Sequence, residues 1–348
     1  MSSNLINKIK LLANKKVNIM EVCGTHTMAI AYSGLKSLLP KNINLISGPG
    51  CPVCVTPTPI IDSAIELAKK GLIITTFGDM LKVPGSNSSL EKEKSNGNDV
   101  RMVYSCFDAL KIAQKNPKKE VVFVGVGFET TSPTIAATIK TAEKEKTKNF
   151  SVIPAFKVIP PALKVILEQK NLKIDGFLLP GHVSAIIGSK PYQFITEKYK
   201  ISSVITGFEP SEILEGIFMI LKQIKTKKPI IEIQYKKVVK KEGNPFAMKL
   251  LYSIFEESDS QWRGLGIIKK SGLKFKYKYK KFDALQKFKT KLKNAKEPVG
   301  CLCGKILTGT VKPIQCHLFG KKCNPSNPIG PCMVSSEGTC AAYYKYGQ

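Results

Sequence analysis

The feature that most constrains this 348-residue chain is a tail in which six of the ten cysteines lie among glycines and prolines. They are Cys301, Cys303, Cys316, Cys323, Cys332 and Cys340. No long apolar period accompanies them, so the tail cannot build a core from its own side chains and needs a cross-link. Disulfides, a zinc ion or an iron–sulfur cluster could supply that cross-link.

The expected compartment favours metal or redox chemistry for these cysteines. No stretch approaches the ~20 apolar residues of a membrane helix. Residues 1–16 also lack the apolar core and the cleavage site of a signal peptide. We therefore expect a cytoplasmic protein with no membrane partner. In that compartment, clustered cysteines bind metals or exchange electrons more often than they form structural disulfides.

The net charge of +28 admits two interpretations. One is an anionic partner such as nucleic acid, and the other is a general lysine surplus exposed to solvent. More than half of the surplus lies in residues 222–296, where 273–280 alternates apolar residues with lysine. This alternation predicts a half-buried strand with a solvated lysine face. No base-reading element accompanies the charge, so we do not expect a nucleic-acid partner.

Short apolar runs alternate with helix-period segments from residue 17 to about residue 215. Such alternation predicts an α/β fold, with parallel sheets covered by helices. The triplet Gly-Phe-Glu follows an apolar run twice, at 127–129 and 207–209. This repeat favours two similar α/β halves, with a boundary near 146–150.

Cys23 and His26 are the first candidate site. They follow directly after the predicted strand at 17–22. A lone histidine is more often a hydrogen-bonded structural residue than a ligand. Here a thiolate and an imidazole three positions apart, at the end of a strand, could converge on one small ion or substrate.

Cys51 and Cys54 form a Cys-x-x-Cys pair inside the Gly/Pro-rich stretch at 48–54. One thiol of such a pair can attack while the other resolves the mixed disulfide. The same spacing can also hold a soft metal. The pair therefore indicates thiol or metal chemistry without deciding between them.

Glu129 follows the apolar run at 121–126 and precedes a predicted helix. We considered three roles for its carboxyl group. It could act as an acid or base, hydrogen-bond to a residue that is itself a ligand, or simply face the helix N-terminus, which favours a carboxylate.

The spacing of the tail cysteines helps to decide which of the possible cross-links the tail contains. Cys303, Cys316, Cys323 and Cys340 match neither the paired knuckles of structural zinc sites nor the tight Cys-x-x-Cys run of bacterial ferredoxins. We prefer a [4Fe–4S] cluster held by these four. Cys301, separated from Cys303 by one residue, is an alternative ligand or a redox thiol beside the cluster.

Together these motifs resemble the HypD family of [NiFe]-hydrogenase maturation proteins over almost the whole chain. The motifs are EVCGTHT (21–27), GPGCPVC (48–54), GDMLKVPGS (78–86), GFETTSP (127–133), LPGHVS (179–184), GFEP (207–210), EGN (242–244), WRGLG (262–266) and MVSSEGTC (333–340). Cys106, Cys332 and the lysine surplus depart from the family pattern. We therefore leave both of these cysteines out of the site.

The resemblance implies three α/β domains around a cleft, the third carrying a C-terminal [4Fe–4S] cluster. The predicted ranges are an N-terminal segment reaching the cleft at 1–42, α/β domains at 43–147 and 148–225, and a C-terminal domain at 226–348. With a HypC-type small chaperone, the protein would be the scaffold on which an Fe(CN)2CO unit is assembled. A HypE-type protein would donate cyanide, and the hydrogenase large subunit would receive the iron.

Carried over by motif, Cys23 becomes the ligand of that iron, with His26 beside it. Cys51 and Cys54 become the redox-active pair in the cleft, and Glu129 becomes a cleft residue. We hypothesise that the cluster and the thiol pair form a route for electrons. The alternative function is an iron–sulfur-dependent thiol–disulfide oxidoreductase.

Overall fold

The computed structural model describes residues 2–170, 173–292, 295 and 297–347. Its strands are β1 (Val17–Glu21), β2 (Ile43–Ser47), β3 (Ile73–Thr76), β4 (Val100–Met102), β5 (Val121–Gly127), β6 (Phe150–Phe156), β7 (Gly176–Pro180), β8 (Ser202–Thr206), β9 (Ile231–Ile233), β10 (Phe255–Trp262) and β11 (Gly266–Phe275).

The α-helices are α1 (Ser2–Leu12), α2 (Gly24–Tyr32), α3 (Leu35–Leu38), α4 (Pro52–Val55), α5 (Thr58–Lys69), α6 (Gly78–Leu81), α7 (Leu90–Ser95), α8 (Cys106–Lys115), α9 (Ser132–Lys144), α10 (Ile159–Leu167), α11 (Gly181–Ile187), α12 (Gln193–Glu197), α13 (Pro210–Thr226), α14 (Pro245–Ile254), α15 (Ala284–Lys287), α16 (Cys303–Leu307) and α17 (Thr339–Tyr346). Short 3-10 turns occupy Lys190–Tyr192, Tyr277–Phe282, Pro313–Gln315 and Pro331–Met333. Within the described ranges, no helix is both long and apolar enough to cross a bilayer.

Two parallel sheets form the framework, which confirms the predicted α/β class. The first sheet has the strand order β2-β1-β7-β8-β9, and the second has the order β4-β3-β5-β6. Neighbouring strands in both sheets run parallel. Strands β5, β7 and β8 are buried along their whole length. Continuous burial of this kind is typical of a parallel sheet with helices on both faces.

Two strands pair with strands that lie outside their own predicted ranges. β1, from the predicted segment 1–42, lies inside the first sheet between β2 and β7. β6, placed in the range 148–225, pairs with β5 in the second sheet. Hydrophobic periodicity locates strands but does not say which strand each one pairs with, so sheet membership crosses the boundaries at 42/43 and 147/148.

The C-terminal part of the chain adds an antiparallel hairpin, β10–β11, and the cysteine-rich tail. The hairpin register shifts between Ser258 and Ser260. Trp262, which is 1% exposed, stacks on Phe128 with ring centroids 6.1 Å apart and donates its indole N–H to Ser271 Oγ at 2.8 Å. One buried cluster contains this tryptophan together with side chains of the first sheet and of the tail, so the tail packs as part of the main core.

The predicted strand at 273–280 is wrong in its second half. β11 ends at Phe275, and Tyr277–Phe282 forms a 3-10 turn. Tyr277 is 86% exposed, whereas Tyr279 and Phe282 are buried. A 3-10 turn repeats every three residues, and this spacing brings Tyr279 and Phe282 to the core together.

Candidate functional site

Cys23 and His26 lie where the first sheet passes into α2. Cys23 is the residue before the helix, in an extended conformation, and His26 lies in the first helical turn. The His26 ring is fully buried and packs against Phe208, with centroids 4.7 Å apart and the ring planes tilted by 31°. The end of β1 thus places a thiol and an imidazole at the carboxyl edge of a parallel sheet, where α/β proteins bind ligands.

The hydrogen bonds of His26 fix its tautomer. Nε2 lies 2.9 Å from the carbonyl oxygen of Gly207 and 3.0 Å from Thr206 Oγ1. A carbonyl oxygen only accepts, so Nε2 carries the proton and Nδ1 carries the lone pair. Nδ1 has no hydrogen-bond partner among the described residues. Burial lowers the pKa of His26 to about 4, so the ring is neutral at physiological pH.

The Cys23 thiol is protonated in this setting. Burial, and then the carboxylate of Glu337, raise its pKa to about 11. Binding of a metal cation would displace that proton, because the thiolate is the ligand. Thr25 Oγ1 donates to Glu337 Oε1 at 2.5 Å, and a Cβ on Gly24 would lie 2.6 Å from the Glu337 Cβ. The tail therefore closes over the Cys23 loop.

Cys51 and Cys54 lie at the start of the short helix α4, and both are buried free thiols. Their sulfur atoms are 2.7 Å apart, and the Cys54 amide N–H donates to Cys51 Sγ at 3.3 Å. Gly50 packs this loop directly against Cys23, because a Cβ on Gly50 would lie 2.5 Å from the Cys23 Cα. The Gly24 amide N–H also donates to the Gly50 carbonyl at 3.0 Å. The structure thus brings the two predicted cysteine motifs together.

Glu129 lies beyond the carboxyl end of β5 and is buried. Its Oε1 accepts from the amide N–H of Ile159, the first residue of α10, at 2.9 Å. It therefore faces the N-terminus of α10, not that of the helix next to it in sequence. Oε2 has no partner within the described part of the chain. The buried Tyr192 lies within electrostatic range of both Glu129 and Cys23.

Replacing Glu129 by glutamine is expected to change how stability depends on pH. Burial raises the pKa of Glu129 from 4.5 to about 7. A carboxyl group whose pKa is higher in the folded than in the unfolded protein stabilises the fold at pH values below its unfolded pKa. This stabilisation is lost as the pH rises through the folded pKa. Glu129→Gln should therefore match the wild type at pH 4.5 and exceed its free energy of unfolding by up to about 3 kcal/mol at pH 8. Urea unfolding at both pH values measures this, and a pH-independent difference would contradict the burial argument.

Cys332 lies at the centre of the tail thiols, although the sequence analysis left it out of the site. Interactions with the thiols of Cys303, Cys340 and Cys54 hold the pKa of Cys332 well below its usual range. The Cys340 amide N–H also donates to Cys332 Sγ at 3.4 Å. Cys54 Sγ lies 3.9 Å from the carbonyl oxygen of the neighbouring Pro331. Cys332 therefore connects the Cys51–Cys54 pair with the tail.

The remaining tail thiols surround this centre more loosely. Cys323 interacts electrostatically with Cys301 and Cys316. Cys340 interacts in the same way with Cys323 and Cys301. Gly330 leaves room beside Cys301, because a Cβ there would lie 2.8 Å from the Cys301 sulfur. In the ranges that the structure describes, no group of three or more Cys, His, Asp or Glu side chains is placed so that it could hold a single metal ion. Thiolates are soft donors, so an all-thiol set of this kind has the chemistry that an iron–sulfur cluster requires.

Glu337 and Cys332 are the site residues that sequence reasoning missed. Both lie within or beside the stretch at 333–340 that carried part of the resemblance. Cys106, also set aside, lies elsewhere: it begins α8 and its thiol hydrogen-bonds with Thr138 in the core of the second sheet.

A family model described as "HypD: Hydrogenase formation hypA family" matches residues 1–347. The chain belongs to the HypD family. The hydrogenase maturation factor HypD of Rhodobacter capsulatus is 44% identical to it over 351 residues, covering 99% of this chain and 93% of that protein. The hydrogenase maturation factor HypD of Escherichia coli strain K12 is 45% identical over 338 residues, covering 97% and 91%. The HypD factor of Cupriavidus necator is 43% identical over 343 residues, covering 96% and 90%. The likeness to these HypD proteins therefore extends over both sheets, the hairpin and the tail.

Proposed function

We propose that this chain is a hydrogenase maturation factor that, with a HypC-type small chaperone, forms the scaffold on which an Fe(CN)2CO unit is assembled. The observation that carries the proposal is the contact between two cysteine loops: Gly50 packs on the Cys23 backbone and so places the Cys51–Cys54 pair beside the Cys23–His26 motif. A thiol, a neutral imidazole and a redox-capable thiol pair then share one buried region.

Cys23 is the ligand of the iron cargo in this proposal, with His26 beside it. A low-spin iron with strong-field diatomic ligands prefers soft donors, and the buried Cys23 thiol becomes such a donor when it loses its proton. The unshared lone pair on His26 Nδ1 is the second donor that this loop offers. Burial at the sheet edge excludes water from both groups.

The tail would hold a [4Fe–4S] cluster through Cys316, Cys323, Cys340 and either Cys301 or Cys303. The contact between Cys303 and Cys332 favours Cys301 as the fourth ligand, because it leaves Cys303 available for thiol exchange. When bound, such a cluster supplies single electrons at a potential tuned by charge and hydrogen bonds.

The thiols form a continuous exchange path. In a Cys51–Cys54 disulfide, the Cys332 thiolate can attack the Cys54 sulfur, which forms a Cys54–Cys332 bond and releases Cys51 as a thiolate. Cys303 passes its proton to the released Cys51 thiolate and then attacks Cys332, which releases the Cys54 thiolate and leaves a Cys303–Cys332 disulfide. Each step breaks one S–S bond and forms another, so electrons balance without an added reductant.

The remaining partners follow from the maturation role. We propose a HypE-type protein as the cyanide donor, the hydrogenase large subunit as the eventual recipient of the iron, and the cytoplasm as the compartment. The names of the relatives quoted above, hydrogenase maturation factors, support the role in maturation. An iron–sulfur-dependent thiol–disulfide oxidoreductase is the second candidate, and the contact of Cys332 with Cys54 and Cys303 is the observation that favours it.

Infrared spectroscopy tests the scaffold directly. The protein would be co-expressed with a HypC-type partner and purified without oxygen. We expect bands from cyanide and carbon monoxide bound to iron, which the oxidoreductase would not show. An intact complex with cluster iron but without these bands would overturn the scaffold and favour the oxidoreductase.

A further inference from the structure

Arg263 is a buried cation to which neither the cargo site nor the cluster site assigns a role. Its side chain is 1% exposed, and it lies between the hairpin strands β10 and β11. It contacts the end of α4, the helix of the Cys51–Cys54 pair. Its amide N–H donates to the Val55 carbonyl at 2.9 Å, and Nε and Nη2 donate to the Thr56 carbonyl at 3.3 and 3.2 Å. Nη2 also donates to Thr58 Oγ1 at 3.0 Å.

These hydrogen bonds are made to carbonyl groups at the C-terminal end of the short helix α4. The last carbonyls of any helix have no partner within it, and here one forked side chain and one backbone amide satisfy them. The ion pair of Arg263 Nη1 with Glu297 is a lesser contribution, because that carboxylate is 49% exposed and solvent screens it. The specific contacts of Arg263 are therefore those to α4.

The next residue contacts the tail. Gly264 adopts a φ of +80°, and a Cβ on it would lie 2.5 Å from the Cα of Gly304. The reverse contact is as close, because a Cβ on Gly304 would lie 2.8 Å from the Gly264 Cα. Gly304 directly follows Cys303. Two consecutive residues of the hairpin thus hold the Cys51–Cys54 helix on one side and the Cys303 turn on the other.

We propose that Arg263 is a positioning residue that fixes the Cys51–Cys54 helix against the tail, and so sets the approach of Cys54 to Cys332. The proposal rests on the thiol path of the proposed function. It concerns geometry alone, since small displacements of reacting groups change reaction rates strongly. It also gives the 262–266 motif a chemical role.

A trapping experiment measures this approach in the full-length protein. In a Cys51→Ser background, Cys332 is the remaining thiol that interacts with Cys54 among the described residues. Diamide, added stoichiometrically to anaerobic reduced protein, takes two electrons and two protons from two thiols. We expect both Cys54–Cys332 and Cys303–Cys332 links, counted by mass spectrometry of non-reduced peptides. Arg263→Met should lower the ratio of the first link to the second roughly tenfold.

Three further variants separate position from charge and from general destabilisation. Arg263→Lys keeps the charge but loses the fork, so it should behave like Arg263→Met. Thr58→Val removes one hydrogen bond of Arg263 and should lower the ratio less than Arg263→Met does. If Arg263→Met fails to fold, the ratio in Thr58→Val tests the positioning role instead. The matched control is Lys157→Met: Lys157 is also buried and donates to Ser260 of the same hairpin at 2.6 Å, so this change should leave the ratio unaltered.

The outcomes distinguish the two proposals. Absence of the Cys54–Cys332 link in the background protein overturns the thiol path. If the link forms but Arg263→Met and Thr58→Val leave the ratio unchanged, the positioning role is overturned while the path stands. Full recovery in Arg263→Lys, or an equal loss in Lys157→Met, also overturns the positioning role.

Discussion

Replacing Cys23 by serine is expected to remove the cyanide and carbon monoxide infrared bands completely. The substitution exchanges a soft sulfur donor for a hard hydroxyl, which a low-spin iron with diatomic ligands does not favour. The change is nearly isosteric, so His26 should keep its bonds to Gly207 and Thr206 at the end of β8. The iron of the proposed tail cluster should stay at the wild-type content per chain.

Cys106→Ser is the matched control for this experiment. Cys106 is also buried but lies in the second sheet's core, where it interacts with Thr138. We expect its serine variant to keep the infrared bands and the iron content. Bands of wild-type intensity in Cys23→Ser would show that the cargo is bound elsewhere.

Under the proposed function, replacing Cys51 by alanine is expected to abolish assembly of the diatomic ligands without loss of the iron of the proposed tail cluster. Cys51 is the partner that Cys54 needs to form the disulfide of the pair, and the two sulfurs are 2.7 Å apart. Without it, the pair can neither store nor release two electrons. The measurement combines the infrared spectrum with the iron content of the same sample.

The interpretation depends on the iron content. Lost bands with full tail iron would support the electron route through the pair. Full bands would eliminate that route, because the cargo would then be assembled without the pair. A loss of both would indicate that Cys51 supports the fold of the tail, which the Cys106→Ala control should not do.

The cysteine loops could be predicted because they end strands of parallel sheets. Cys23 follows β1 and Cys51 follows β2, and these neighbouring strands open at the same edge. Apolar runs at these positions predicted the α/β class, whereas a shared cleft for the two motifs was implied by the family resemblance. The neutral tautomer of His26 could not be predicted, because it depends on a carbonyl far away in the sequence, at Gly207.

The parts that could not be predicted are set by tertiary contacts. Cys332 resembles the other tail cysteines in sequence, and only the packing of the turn at Pro331–Met333 against α4 gives it a central position. The pairing of strands could not be predicted for the same reason, since β1 and β6 carry no local signal of their neighbours. At Tyr277–Phe282, an alternating pattern was overridden by a 3-10 turn, which shows that burial of side chains and not strand propensity decided the backbone there.

The burial of Cys23 and His26 has a consequence for the proposed iron cargo. Both side chains are buried at the end of β1, where Glu337 of the tail contacts Thr25 and Gly24. A group that binds these two side chains in the native state and not in the unfolded chain adds its binding free energy to the folding equilibrium. Under the proposed scaffold role, the loaded protein should therefore resist unfolding and proteolysis better than the empty one. Handover to an acceptor would then require affinity that exceeds this stabilisation, so the acceptor and not spontaneous dissociation would determine when the iron leaves.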